Sequence, residues 1–178
     1  MESQKPKIVV IVGPTASGKT QLAIDLAKKF NGEVISADSR QVYRKLDIGT
    51  EKISKEDMDG VKHHLIDIVD VDTVYSASDF KNDATKAIEE VTEMEKLPII
   101  AGGTFFYINV LLGKISSPEV APNLKLRNEL EEMNTHSLFA ALEKIDPRRA
   151  ADIDPENKRR LIRALEIVHA LGKVPKAR

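Results

Sequence analysis

Apolar and polar positions alternate between two periods over the first 112 residues and settle into one period afterwards. Positions 7–12 are apolar and β-branched after their first residue, which predicts a buried strand. Leu22, Ala23, Leu26, Ala27 and Phe30 then recur at helical spacing, and Asn31-Gly32 supplies a C-cap and turn. Glu-Val-Ile-Ser-Ala at 33–37 reads as a second short strand ending at Asp38. Positions 39–62 are polar and poorly periodic, a long functional loop with room for one helical turn. A third strand is expected at 65–69. Ser76-Ala77-Ser78-Asp79 has the form of a capping box and opens a helix to about Lys96. A fourth strand at 97–101 is broken by Gly102-Gly103, and a helix resumes over 105–112.

This alternation predicts an α/β fold, a parallel sheet with helices on both faces, over residues 1–113. Ligands of such sheets collect at the carboxyl ends of the strands. Three polar groups fall at such ends: the segment 13–20, Asp38, and Gly102-Gly103-Thr104. Beyond Gly113 the chain becomes linker-like and then purely helical, with helices expected at about 124–133 and 137–145. Asp154-Pro155 predicts an N-cap and first helical residue for a last helix ending at Leu171, with Gly172 at C′. Residues 114–178 therefore form a small all-helical lobe or insertion in this reading.

Composition narrows the classes. A chain of 178 residues, 42% hydrophobic and 31% charged, suits one soluble core with a small appendage. The lack of cysteine removes disulfide frameworks and thiolate metal sites, and fits a reducing compartment. No apolar run is long enough for a signal peptide or a membrane span, so no membrane partner is expected. The net charge of −1 means that a nucleic-acid partner would need a local basic patch.

The sharpest chemistry lies at 13–20, Gly13-Pro14-Thr15-Ala16-Ser17-Gly18-Lys19-Thr20. A strand precedes it and a helix follows, the context of a P-loop. The glycines allow tight turning and close approach to an anion. The amides of 16–20 can form a nest at a helix start, Lys19 adds a full charge, and the Thr20 hydroxyl can hold magnesium.

Asp38, at a strand end beside this loop, can hold magnesium through water or accept a proton; a helix N-cap is the plainer alternative. Gly102-Gly103-Thr104 permits close approach of a ligand or another backbone, or makes a simple turn with Thr104 as N-cap. His63 and His64 are adjacent, so in a strand they face opposite sides and structural hydrogen bonding is expected rather than chelation. Arg159, Arg160 and Arg163 fall on one side of the last helix, spaced to meet a phosphate backbone or to form a solvated face.

Together these strings carry a resemblance. The P-loop, Ser-Ala-Asp-Ser-Arg-Gln-Val-Tyr at 36–43, Asp-Ile-Gly-Thr at 47–50 and His-His-Leu-Ile-Asp at 63–67 are similar to the tRNA dimethylallyltransferase family. So are Tyr-Ser-Ala-Ser-Asp-Phe at 75–80, Gly-Gly-Thr at 102–104 and Arg-Arg-Leu-Ile-Arg-Ala-Leu-Glu at 159–166. The resemblance implies a P-loop NTPase-like core and transfer of a dimethylallyl group from dimethylallyl diphosphate. The acceptor it implies is the exocyclic amine of the adenosine 3′ of the anticodon, in tRNAs reading codons that start with U.

It further implies that Gly13, Pro14, Thr15, Ala16, Ser17, Gly18, Lys19 and Thr20 hold the diphosphate, with Mg2+ on Thr20. Asp38 is then the general base, and Thr104 helps place the nucleotide. Asp38, Ser39, Arg40, Gln41 and Thr104 touch tRNA, as do Arg127, Arg159, Arg160, Leu161, Ile162 and Arg163 in the helical lobe. The anticodon stem-loop is the expected partner, the protein a cytoplasmic monomer. Family members normally run well past residue 178, so the resemblance also implies a C-terminally truncated form with exposed apolar surface. A P-loop kinase using ATP and a non-catalytic binding fragment remain the alternatives.

Overall fold

The computed structural model describes residues 6–14, 16–115, 118 and 120–175. The chain divides into two compact units, Met1–Ile115 and Ser116–Arg178.

The first unit is built on four parallel strands: β1 (Val9–Val12), β2 (Gly32–Ser36), β3 (His63–His64) and β4 (Leu97–Gly102), in spatial order β1-β4-β2-β3. The near-continuous apolar sequences of β1 and β4 suit a sheet covered on both faces. Side chains alternate between faces, so neighbours in sequence enter different cores. Ile11, Val34 and Ile99 pack with Ala23, Ile24 and Ala27 of α1 (Lys19–Phe30). Ile35 and Ile100 pack on the other face with Phe80, Ala84 and Ile88 of α2 (Ala77–Glu93) and with α3 (Phe105–Leu111). There Phe80, fully buried, stacks on Tyr107 with ring centroids 4.6 Å apart.

Local signals set most helix ends. Asn31 adopts the left-handed conformation at φ 51° and closes α1 through its N–H to the Ala27 carbonyl. Ser76 and Asp79 form the full reciprocal capping box of α2.

The third strand differs from the sequence expectation. Pairing with β2 is made by His63 and His64, not by 65–69, of which only Val69 forms a bridge, to Tyr43. The reason lies in the backbone: Leu65 and Asp67 have φ of 62° and 56°, values that break an extended run.

In the second unit, α4 (Leu124–Glu131), α5 (Thr135–Ile145), α6 (Pro147–Ala151) and α7 (Lys158–Leu171) enclose Leu138, Leu142, Leu161 and Leu165. The last helix starts later than expected. Asn157, not Asp154, caps it by accepting from the Arg160 amide, while Asp154 is spent on a preceding turn through the Glu156 amide. Proline at the first helical position occurs instead at Pro147, behind the Asp146 cap. Gly172 ends α7 at φ 79°.

Candidate active site

The strand order puts the carboxyl ends of β1, β4 and β2 side by side, with Val12 opposite Gly102 and Ala101 opposite Ser36. The P-loop, Asp38 and the Gly102-Gly103 turn therefore meet in one cleft of about 160 Å³. Its lining includes Ser17, Lys19, Thr20, Asp38, Gln41 and Gly103. Thr15 lies outside the described residues.

Within the loop, Ala16 and Gly18 take positive φ of 59° and 79° on either side of Ser17. Left-handed residues in a tight loop are the material of anion-binding nests. Gly18 is the N-cap of α1, so no side chain caps the helix, and no acidic residue occupies its first turn. That leaves the positive end of the helix available to an anion. A Cβ on Gly13 would approach Ser17 Oγ to 2.9 Å, so a side chain there would crowd the loop. Lys19 Nζ donates to the Pro14 carbonyl.

Asp38 is oriented by its own loop. Its Oδ1 accepts from the amides of Arg40 at 2.8 Å and Gln41 at 3.3 Å. Thr104 does not cap α3 with its side chain; Oγ1 accepts from the Ser39 amide at 3.0 Å. The hydroxyl thus holds the segment that carries Asp38. Gly102 is required by the sheet, because a Cβ there would sit 2.2 Å from the Ala37 carbonyl oxygen. Gly103, by contrast, faces open space. Close backbone approach explains the first glycine and not the second.

Gln41 lines the cleft but commits its side chain to the loop. Its Nε2 donates to the carbonyls of Thr50 at 3.2 Å and Glu51 at 3.4 Å, and Oε1 accepts from Ser36 Oγ. Arg40 is exposed beside it.

The two histidines divide, as their alternation requires. His64 Nε2 lies 2.6 Å from Glu33 Oε2, a buried carboxylate that also pairs with Lys96 at 2.7 Å. His63 donates Nδ1–H to the Val61 carbonyl at 2.9 Å and lines the cleft. Burial pushes its pKa down, with His64 adding to the effect, so the ring is neutral. Its Nε2 is buried without a hydrogen-bond partner among the described residues. No cluster of three His, Asp or Glu suited to a metal exists among them. The oxygen donors at the cleft, Thr20 and Asp38, are the hard type that magnesium takes, commonly with water completing its shell.

In the helical unit the residues of the expected RNA-contact set differ in burial and in partners. Leu161 and Ile162 are buried at 0% and 4% exposure, so their side chains belong to the core. Arg127 is also committed inward, to buried Glu166: its Nε and one terminal nitrogen each lie 2.9 Å from a carboxylate oxygen. Arg163 donates to the same carboxylate and, at 2.9 Å, to the Val120 carbonyl. A buried carboxylate must be paired, and these two guanidiniums do it. Arg159 and Arg160 are exposed, so Arg163 does not share their free face.

Lys52 and Glu51 carry no signal in the sequence, and Thr50 enters there only within the Asp-Ile-Gly-Thr string. They sit in the aperiodic stretch 39–62, where no spacing distinguishes a bracing residue from a solvated one.

Comparison with known proteins agrees with this geometry. The family model for IPP transferase matches residues 41–178. A tRNA dimethylallyltransferase of Halalkalibacterium halodurans is 49% identical over 173 residues, covering 95% of this chain and 55% of that protein. One from Staphylococcus epidermidis is 48% identical, covering 93% and 52%.

Among solved structures, the full-length tRNA isopentenylpyrophosphate transferase of Bacillus halodurans is 48% identical, with a TM-score of 0.63, over 95% of this chain and 57% of that one. A eukaryotic dimethylallyltransferase acting on tRNA is 37% identical, with a TM-score of 0.82, over 94% and 42%. These likenesses give the first unit its class, a P-loop NTPase-like fold. The chain spans about half the length of the curated relatives it matches. With the model reaching from Gln41 to the last residue and relatives near half identical, the chain belongs to the IPP transferase family.

Proposed function

We propose that the protein transfers a dimethylallyl group from dimethylallyl diphosphate to the exocyclic amine of an adenosine in tRNA. The adenosine is the one 3′ of the anticodon in tRNAs reading codons that begin with U. The observation that carries the reading is one cleft joining an uncapped P-loop helix to Asp38.

In this reading the P-loop serves a leaving group. The N6 lone pair attacks the allylic C1 and forms the C–N bond. The C–O bond breaks, and diphosphate leaves with the electron pair. Negative charge grows on the oxygens facing the amides of 16–20 and Lys19, the place where preorganised donors lower a barrier most. The Thr20 hydroxyl would hold magnesium, which would supply further charge neutralisation when bound.

Adenine N6 is a weak nucleophile because its lone pair is conjugated into the ring. Asp38 takes its proton as the bond forms, in an orientation fixed by the Arg40 and Gln41 amides. Thr104 keeps this loop in place through Ser39. The adenosine must leave the anticodon stack to reach the cleft. Arg159 and Arg160, exposed on α7, are free to meet the RNA backbone, as is exposed Arg40. On this reading the protein works in the cytoplasm as a monomer. No helix of the described residues is long and apolar enough to cross a membrane.

The test incubates the protein with labelled dimethylallyl diphosphate, magnesium and unmodified tRNA. Label in the tRNA that is lost in Asp38→Ala supports the reading. Absence of any label transfer by the unsubstituted protein contradicts it.

A further inference from the structure

We propose that Lys52 is a positioning residue, a buried ammonium tripod that sets the shape of the cleft wall built by residues 41–51. The proposal rests on the transfer reading above for its activity readout alone.

An ammonium has three N–H donors, and Lys52 spends all of them. Nζ donates to the Tyr43 carbonyl at 2.8 Å, to Asp47 Oδ1 at 2.7 Å and to Asp67 Oδ1 at 2.6 Å. The side chain is 4% exposed, whereas its carboxylate partners are 66% and 48% exposed. Burial alone would push the amine down, but the bonds from Asp47 and Asp67 outweigh it and raise the pKa, so the group stays charged.

The three partners come from three different stretches. Tyr43 follows the Asp38 loop, Asp47 precedes the turn Ile48–Thr50, and Asp67 follows β3. One charge thereby ties together three segments, two of which also meet at the Tyr43–Val69 bridge.

Those segments are strained. Lys45, Glu51, Leu65 and Asp67 all have positive φ, at 65°, 48°, 62° and 56°. Each such residue is unfavourable and persists only where its surroundings dictate it. The tripod supplies that dictation. Around it, the Asp67 amide donates to the Gln41 carbonyl at 3.1 Å, and Gln41 holds the carbonyls of Thr50 and Glu51. Gln41, Thr50, Glu51 and Ile66 are cleft-lining residues. The P-loop side of the cleft draws on none of these bonds. The tripod therefore acts on the part of the cleft lined by Gln41, Thr50, Glu51 and Ile66 and leaves the P-loop side alone.

The experiment compares the protein with Lys52→Met, Lys52→Arg and Asp67→Asn. Three readouts are taken: amide hydrogen exchange, calorimetric affinity for inorganic pyrophosphate with magnesium, and label transfer to tRNA. In Lys52→Met, exchange quickens over 41–52 and 65–69 while α1 and β4 keep their protection. Pyrophosphate affinity stays within about twofold. Transfer falls about 100-fold, in kcat more than in KM for the donor, the scale of a misplaced reacting group. Arginine does not rescue, because its planar fork cannot place three converging donors. Asp67→Asn, a milder change, gives the same pattern at lower amplitude.

Unchanged exchange over 41–52 overturns the proposal. So does a uniform rise in exchange through α1 and β4 with loss of pyrophosphate affinity, the mark of a general scaffold residue. If the unsubstituted protein transfers no label, the transfer reading fails, and the exchange pattern still decides the role of Lys52.

Discussion

The backbone amide of Ser39 donates to Thr104 Oγ1 at 3.0 Å, so a residue 65 positions downstream holds the segment that carries Asp38. The bond joins the segments that follow β2 and β4. Thr104→Val keeps the shape and removes the acceptor, leaving a part-buried N–H unpaired. It should cost about 1–3 kcal/mol in urea denaturation and lower transfer more than Thr104→Ser, which keeps the hydroxyl.

The two adjacent glycines should respond differently. Gly102→Ala forces a Cβ to within 2.2 Å of the Ala37 carbonyl oxygen, and β2 and β4 must shift apart. A loss of about 1–3 kcal/mol is expected, the range for overpacking. Gly103→Ala meets nothing within 4 Å and should stay within about 0.5 kcal/mol of the parent. Parallel thermal melts decide the pair.

Glu166 ties the stability of the helical unit to pH. Burial would raise its pKa, but hydrogen bonds from Arg127, the Asn123 amide and Arg163 hold it down, to about 2 from 4.5. The folded pKa lies below the unfolded one, so the stabilisation is complete above pH 4.5 and is lost as pH falls through the folded value. It is on the order of 3 kcal/mol for this fully enclosed group. Urea denaturation of the protein should weaken between pH 5 and pH 2.5, and Glu166→Gln should flatten that part of the profile while lowering stability at pH 7.

Arginines on α7 should separate by role. Arg160→Ala should leave the melting temperature unchanged and weaken tRNA binding, reducing the salt slope by about one. Arg163→Ala should lower stability by roughly 3 kcal/mol, because it strips a partner from a buried carboxylate. Filter binding across a salt series, with melts of the same samples, reads both.

The P-loop, the Asn31 and Gly172 caps and the Ser76–Asp79 box were legible in the sequence because each is decided within a few residues. The meeting of the P-loop, Asp38 and Gly102 was legible too, since parallel strands present their carboxyl ends on one edge. What was not legible depends on distant partners. Leu65 and Asp67 read as strand, yet contacts with Gln41 and Lys52 hold this segment where two residues are left-handed. Asp154-Pro155 reads as a better helix start than Asn157, but Asp154 closes a turn before it. Arg159 and Arg163 look alike by spacing, and only the burial of Glu166 separates them. Lys52 carries no local signal at all, because its meaning lies in Tyr43, Asp47 and Asp67 meeting at one point.

The most direct measurement counts products in one tube: pyrophosphate released and label gained by tRNA, from labelled dimethylallyl diphosphate, with ATP present. The transferase account predicts one pyrophosphate per dimethylallyl group, no ATP consumed, and loss of both products in Asp38→Ala. ATP consumption without label in the tRNA would contradict it and return the P-loop to a kinase.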